Sequence, residues 1–288
     1  MNVKSAKSKV ISLVHVIISI AIMVVAMISA RIISNLISEA LSLNVIVDDL
    51  IYSMIYIFSA LIIGLTYAKY ILHLSAEDIG VKKCFPRMKW IVVGILLPVI
   101  VSVFYLIFAE GVMSKNSIYS IEGEIAAIIS GVWVTGISAG IVEEFIFRGL
   151  IMHISENAWN RKVAIIVPSL IFGAAHLNNI SEGRIADAIL LVVAGSMVGV
   201  MFSLIAYQSG SIWASAIVHA LWNIVIIGGI LQITSTDAGM NVNSIYYYKL
   251  DGSNILLTGG IYGIEVAVPA IIGYLLMSAA ILLQEKVK

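Results

Sequence analysis

Long apolar runs alternate with short polar stretches along this chain, and eight of the runs are near the length that crosses ~30 Å of hydrocarbon. They cover roughly 10–30, 50–68, 90–109, 125–150, 162–177, 186–207, 211–231 and 261–283. None alternates as a barrel strand would, and a backbone in lipid must satisfy its hydrogen bonds within its own segment, so each run is predicted to be a helix. The expected fold is all-α, a polytopic membrane helical bundle of about eight transmembrane helices in one integral membrane domain over 1–288. Residues 32–49 carry Ile32, Ile33, Leu36, Ile37 and Leu41 at approximate helical spacing. That pattern predicts a short interfacial helix, either a surface connector or a lid over a lateral opening. The stretch 233–260, with Tyr246, Tyr247 and Tyr248, is expected to be the longest external loop. No soluble domain, linker or repeat is visible.

Composition supports the membrane reading. The residues are 60% apolar and 12% charged, with a mean hydropathy of +1.04, more apolar surface than a soluble domain can hide. A formal net charge of zero with no basic stripe argues against nucleic acid as a partner. Cys84 is the single cysteine; it permits no intrachain disulfide and reads as incidental. Lys4, Lys7 and Lys9 precede an apolar run of about 20 residues, longer than the 7 to 15 of a secretory leader, so the run reads as an anchor.

Lysine and arginine then orient the bundle. A cytoplasmic N-terminus puts Lys4, Lys7, Lys9, Lys69, Lys82, Lys83, Arg87, Lys89, Arg161, Lys162, Lys286 and Lys288 on the inner side, and only Arg31, Lys115, Arg184 and Lys249 outside. Both termini are therefore expected in the cytoplasm, in a protein of the cell membrane. Trp90, Trp159 and Trp213 fall near the inner ends of their spans, where indole rings favour the interface.

Ionisable groups inside such spans are costly and mark sites or pathways. Glu143, Glu144 and Arg148 lie in the fourth run, His176 ends the fifth, and His219 and Asn223 lie in the seventh. They form three compact patterns, E-E-F-I-F-R-G, F-G-A-A-H and H-A-L-W-N. Glu144 and Arg148 are i and i+4, so they meet on one helix face and pair; Glu143 is turned about 100° away and is free for other work. His219 and Asn223 share a face by the same spacing, and Phe172 offers His176 an apolar wall one turn away. A carboxylate with an imidazole deprotonates water, and an imidazole with an amide stabilises an oxyanion, so the inventory suits hydrolysis. No serine or cysteine stands in a nucleophile setting. Zinc lacks its usual H-E-x-x-H helix, which leaves two histidines and a carboxylate as the alternative ligand set.

Depth adds a constraint. Glu143 is about 8 residues, or ~12 Å, from the inner end of its run, and His219 is placed similarly. His176 is about 14 residues, or ~21 Å, from Lys162. The fifth helix must tilt, or start lower and stop inside a hydrated cavity. The remaining polar residues take a plain reading: His15, His73 and His153 at inner interfaces, Asp187 and Glu265 at outer ones. Gly195 with Gly199, and Gly136 with Gly140, are small-residue pairs that permit close helix contact.

At residues 143–223 the chain resembles the CPBP family of intramembrane proteases, which includes CAAX endopeptidases, bacteriocin-processing proteins and Abi-like immunity proteins. The resemblance rests on E-E-x-x-x-R, F-x-x-x-H and H-x-x-x-N in that order, each on an apolar run, within a protease-like core at 125–231. It implies an intramembrane endopeptidase in which Glu143 is the general base on water, assisted by His176, with His219 and Asn223 at the oxyanion. Glu144 joins them in the site, supported by Arg148, and Phe172 supports the substrate. It implies action beside membrane lipids on a peptide or lipidated protein; metal dependence has been argued both ways for the family, and the expectation here is a glutamate mechanism with no cofactor and no structural metal, a divalent metal such as zinc being the alternative. Two other classes stand beside it: a non-catalytic immunity or scaffolding protein using the same pocket, and a transporter with the buried charges as a proton relay. The oligomeric state is not legible. For the orientation, a reporter fused after Lys288 is expected to be active only when it requires the cytoplasm; activity confined to the opposite side would overturn the assignment.

Overall fold

The computed structural model describes residues 3–82, 85–116, 120–177, 184–235 and 244–286, with side chains from Ser8 to Gln284. Lys83, Cys84 and Lys288 lie outside the described residues, as does the middle of the 233–260 stretch.

Each of the eight apolar runs falls on a helix. These are α1 (Val3–Leu41), α2 (Val45–Tyr67, its last turn widened to π geometry over Ala68–Leu72), α3 (Met88–Phe108), α4 (Ile121–Ala158), α5 (Arg161–Ala175), α6 (Ile185–Ser209), α7 (Ile212–Ile226) and α8 (Val268–Lys286). The starts are written locally. Asn44, Ser120 and Asn160 each accept the backbone N–H three residues on, and Ser211 accepts that of Trp213, which satisfies donors that a helix beginning leaves free. Gly210, at φ +66°, ends α6 in the left-handed conformation that glycine adopts without strain.

Among the described residues five helices, α1, α2, α3, α4 and α6, are long and apolar enough to cross a membrane, and α7 and α8 are shorter apolar helices. The chain is an integral membrane protein built as a helical bundle.

The chain is a mostly helical bundle, as expected, and its connections add a small sheet: β1 (Gly111–Lys115), β2 (Leu231–Thr234) and β3 (Tyr246–Leu250) lie in the order β1-β3-β2, antiparallel between β1 and β3 and parallel between β2 and β3. Its residues lie in the connections, two of them in the expected external loop, where a periodicity tuned to spans gives no strand signal. The sheet gathers the ends of α3 and α7, so those ends share one side of the bundle. Lys115 of β1 binds Glu124 of α4 at 2.6 Å, which raises the lysine pKa above its usual value and ties the start of α4 to the same side.

The separate interfacial helix over 32–49 does not exist. Residues 32–41 continue α1, α2 begins at Val45, and Arg31 pairs with Asp48 across the turn at 3.2 Å. The apolar spacing of 32–41 is simply the continuing face of one long helix. The fourth helix also runs on to Ala158, beyond the expected limit near 150, because nothing in 151–158 breaks it; Glu143 is thus 15 residues, or ~22 Å, from that end rather than 8. Trp90, in the first turn of α3, packs inside the protein at 2% exposure.

Small residues set the close approaches. A methyl group placed on Gly195 of α6 would stand 2.7 Å from the Cα of Gly173 in α5, and one on Gly199 would stand 2.9 Å from the Cα of Ser169. On the other flank, a methyl on Gly140 of α4 would stand 2.9 Å from the carbonyl of Ala216 in α7. Both small-residue pairs read from the sequence therefore lie at helix contacts, and α4, α5, α6 and α7 close around one region. Gly195→Ala is expected to force α5 and α6 apart and to cost about 1–3 kcal/mol. Gly149→Ala, whose added methyl has nothing nearer than 3.5 Å, should be nearly silent; thermal unfolding of both variants in detergent checks the contrast.

Candidate active site

Glu143 and Glu144 end an α-helical turn of α4, and the next seven residues, Phe145–Ile151, take π geometry. Such widened turns recur at functional sites because they re-aim side chains without ending the helix. All seven are buried, and so is Glu144. The acidic pair therefore stands at a change of helical pitch, with Glu144 fully buried and Glu143 partly buried beside it.

Glu144 is the centre of the polar network. Its Oε1 accepts from Nη1 of Arg148 at 2.8 Å and from Nδ1 of His219 at 3.0 Å. Glu144 and Arg148 have no exposed side-chain surface at all. Nη2 of Arg148 donates to the carbonyl of Gly199 at 3.0 Å, so one guanidinium joins α4 to α6 and, through Glu144, to α7. The guanidinium lies 4.8 Å from the ring centre of Phe172 and 5.3 Å from that of Phe202. These faces substitute for water around a buried cation.

The partners fix the imidazole tautomers. A carboxylate accepts from Nδ1 of His219, so that atom carries a proton and Nε2 is left for the site. His176 likewise commits Nδ1 to the carbonyl of Phe172 at 2.8 Å, which frees its own Nε2. His219 stacks on Phe202 at 4.8 Å and 17°, and Phe172 stands edge-on to it at 5.7 Å. Phe172 also contacts His176, with ring centres 4.9 Å apart. One phenyl ring thus separates and braces both histidines.

His176, His219, Asn223 and Phe172 line one cavity of about 250 Å³, bounded by α6 and by the segment that leads into α8. His176 directly follows the last residue of the 15-residue α5, so this short helix does stop at a cavity, as its short apolar run implies. Glu143 comes from the neighbouring direction. Its Oε2 is shielded, has no hydrogen-bond partner, and lies 3.9 Å from Nε2 of His219, beyond direct hydrogen-bond range. Among the described residues Glu143 makes no hydrogen bond with His176, whose link to His219 is the shared ring of Phe172. Asn223 spends one amide hydrogen on the carbonyl of Thr135 at 2.9 Å, which keeps its second N–H for another acceptor. No group of three or more His, Cys, Asp or Glu among the described residues is disposed to hold a metal ion.

Two acidic residues assigned to outer interfaces are elsewhere. Asp187 is buried and accepts the N–H of Ile261 at 3.0 Å, clamping the segment before α8 onto α6. Glu265 lines the same cavity as His176 and His219, within electrostatic reach of both imidazoles. Sequence spacing missed it because the contact is made by chain reversal after the sheet. The available signal was an acidic residue inside an apolar run of membrane length. Phe202, the platform under His219, gave no signal within its apolar run.

Residues 125–225 match the family described as Rce1-like, type II CAAX prenyl endopeptidase. The match spans the E-E-x-x-x-R, F-x-x-x-H and H-x-x-x-N patterns, and over this stretch the family likeness read from them is shown. A comparison of the chain with curated proteins gives no match.

The hub makes a stability prediction. Arg148→Met strands the Glu144 carboxylate and should destabilise the fold by about 3–5 kcal/mol. The double variant Arg148→Met with Glu144→Gln removes both charges and should recover part of that loss; equal unfolding midpoints for single and double variants would contradict the pairing.

Proposed function

We propose, starting from the likeness of residues 125–225 to type II CAAX prenyl endopeptidases, that the chain hydrolyses a peptide bond of a membrane-associated peptide or lipidated protein through water activated by a glutamate. The observation that carries this reading is His219 between two carboxylates: Glu144, fixed by Arg148, on its Nδ1 side and Glu143, without a partner, 3.9 Å from its Nε2. The reading requires a water bridging Glu143 Oε2 and His219 Nε2 across that gap.

Glu143 takes a proton from this water as its oxygen attacks the scissile carbonyl carbon. His219 enters this step protonated on both nitrogens, its Nδ1–H held by Glu144, and its Nε2–H and the second N–H of Asn223 meet the negative charge that develops on the carbonyl oxygen. Glu143 then passes its proton to the leaving nitrogen as the C–N bond breaks. His176 presents Nε2 to the same cavity and supports the water. Glu144 and Arg148 act through His219 as positioning residues, and no cofactor takes part.

Eight spans, cytoplasmic termini and residence in the cell membrane complete the proposal, supported by the excess of lysine and arginine in the loops of one side. The enzymatic reading is tested with purified protein in detergent and a library of membrane peptides. Glu143→Gln should keep the melting temperature and lower cleavage by roughly 10²–10⁴-fold. Cleavage at the wild-type rate would remove Glu143 from the mechanism and favour a protein that only binds its partner.

A further inference from the structure

The cavity beside the histidines contains a carboxylate that the proposed hydrolysis does not use. Glu265 sits on a single turn, Ile264–Val266, just before α8. Its backbone is pinned: the hydroxyl of Tyr274 donates to its carbonyl at 2.9 Å, and Gly263 on one side and the N–H of Ala267 on the other fix the turn. The side chain thus reaches into the cavity from a held position, and no hydrogen bond or ion pair engages its carboxylate among the described residues.

The walls around it have a definite chemical character. Ala194, Gly195 and Val198 of α6 give an aliphatic side, and Phe172, Phe202 and Trp222 supply aromatic faces. No lysine or arginine is among the described lining residues. The nearby guanidinium of Arg148 is sealed by Glu144, Gly199 and the phenyl rings. Aliphatic walls suit a methylene stem, aromatic faces attract a cation, and an unengaged carboxylate at the end completes a charge-assisted hydrogen bond with an ammonium or guanidinium. A substrate carboxylate in the same place meets the Glu265 carboxylate instead, with no lysine or arginine among the described lining residues to offset the repulsion.

We propose that this cavity is the specificity pocket of the site and that Glu265 selects a substrate whose side chain or terminus next to the cut bond is cationic, lysine- or arginine-like, against one that places a carboxylate there. The proposal rests on the hydrolytic reading for its location beside the bond, while the binding preference stands without it. The volume of about 250 Å³ accommodates one long side chain.

The test uses the full-length protein in detergent and a peptide series differing at one position near the cleavage point, with Lys, norleucine or Glu. Wild-type kcat/KM should favour Lys over norleucine by roughly ten- to a hundredfold, with Glu the poorest. In Glu265→Gln, an isosteric change whose folding is checked by its melting temperature, the ratio of Lys to norleucine should fall to about one. In Glu265→Lys the Glu peptide should overtake the Lys peptide. If no peptide is cut by the wild type, the hydrolytic reading fails, and fluorescence anisotropy of the same labelled peptides decides the pocket: a Lys preference lost in Glu265→Gln upholds it. A wild type indifferent to the three residues, or a Lys preference that persists in Glu265→Gln, overturns it.

Discussion

One carboxylate oxygen, Oε1 of Glu144, carries the polar architecture of this membrane protein. It accepts from Arg148 on its own helix and from His219 on α7 with no solvent contact, and Arg148 extends the connection to the backbone of α6. In so dry a place neither charge is tolerable alone, and together they fix the rotamer of both partners. The consequence reaches His219, whose tautomer and ring plane are settled by that oxygen and by Phe202 beneath the ring. The free Nε2 therefore points where it does because of a group that need never touch substrate.

Backbone proximity makes the hub possible. Glycine at 173, 195 and 199 lets α5 and α6 meet without side chains between them, and Gly140 does the same for α4 and α7. Bulkier residues would hold α5 off α6 and α4 off α7 by the width of a side chain, and the second separation is the one that the Glu144–His219 hydrogen bond crosses. The close packing and the polar network are thus one device. Small residues contribute no contacts of their own to the site, yet they set the separations at which its hydrogen bonds form.

Much of this was legible in the sequence, for identifiable reasons. The apolar runs fall on α1 to α8 because long apolar stretches are a strong helix signal in a membrane chain, and the i,i+4 spacing placed Arg148 on Glu144. The link from Glu144 to His219 was not legible, since it joins residues 75 positions apart through tertiary packing rather than helix period. Nor was the small sheet, whose strands occupy connections where composition says only loop. Glu265 was misread because its position at the edge of an apolar run resembled an interface, whereas the chain doubles back there and turns the residue inward. The supposed helix at 32–49 shows the reverse error, in which a real amphipathic face was given its own element instead of being joined to α1.

The small sheet has a consequence for the shape of the site. Strand β2 follows α7, which carries His219 and Asn223, and β3 feeds the segment that carries Glu265 before α8. Because β2 and β3 are laddered side by side, the imidazole wall and the acidic wall of the cavity hang from one crosspiece. Main-chain bonds therefore join the two walls at one end, independently of the side chains inside the cavity, and Asp187 holds the acidic segment to α6 further along.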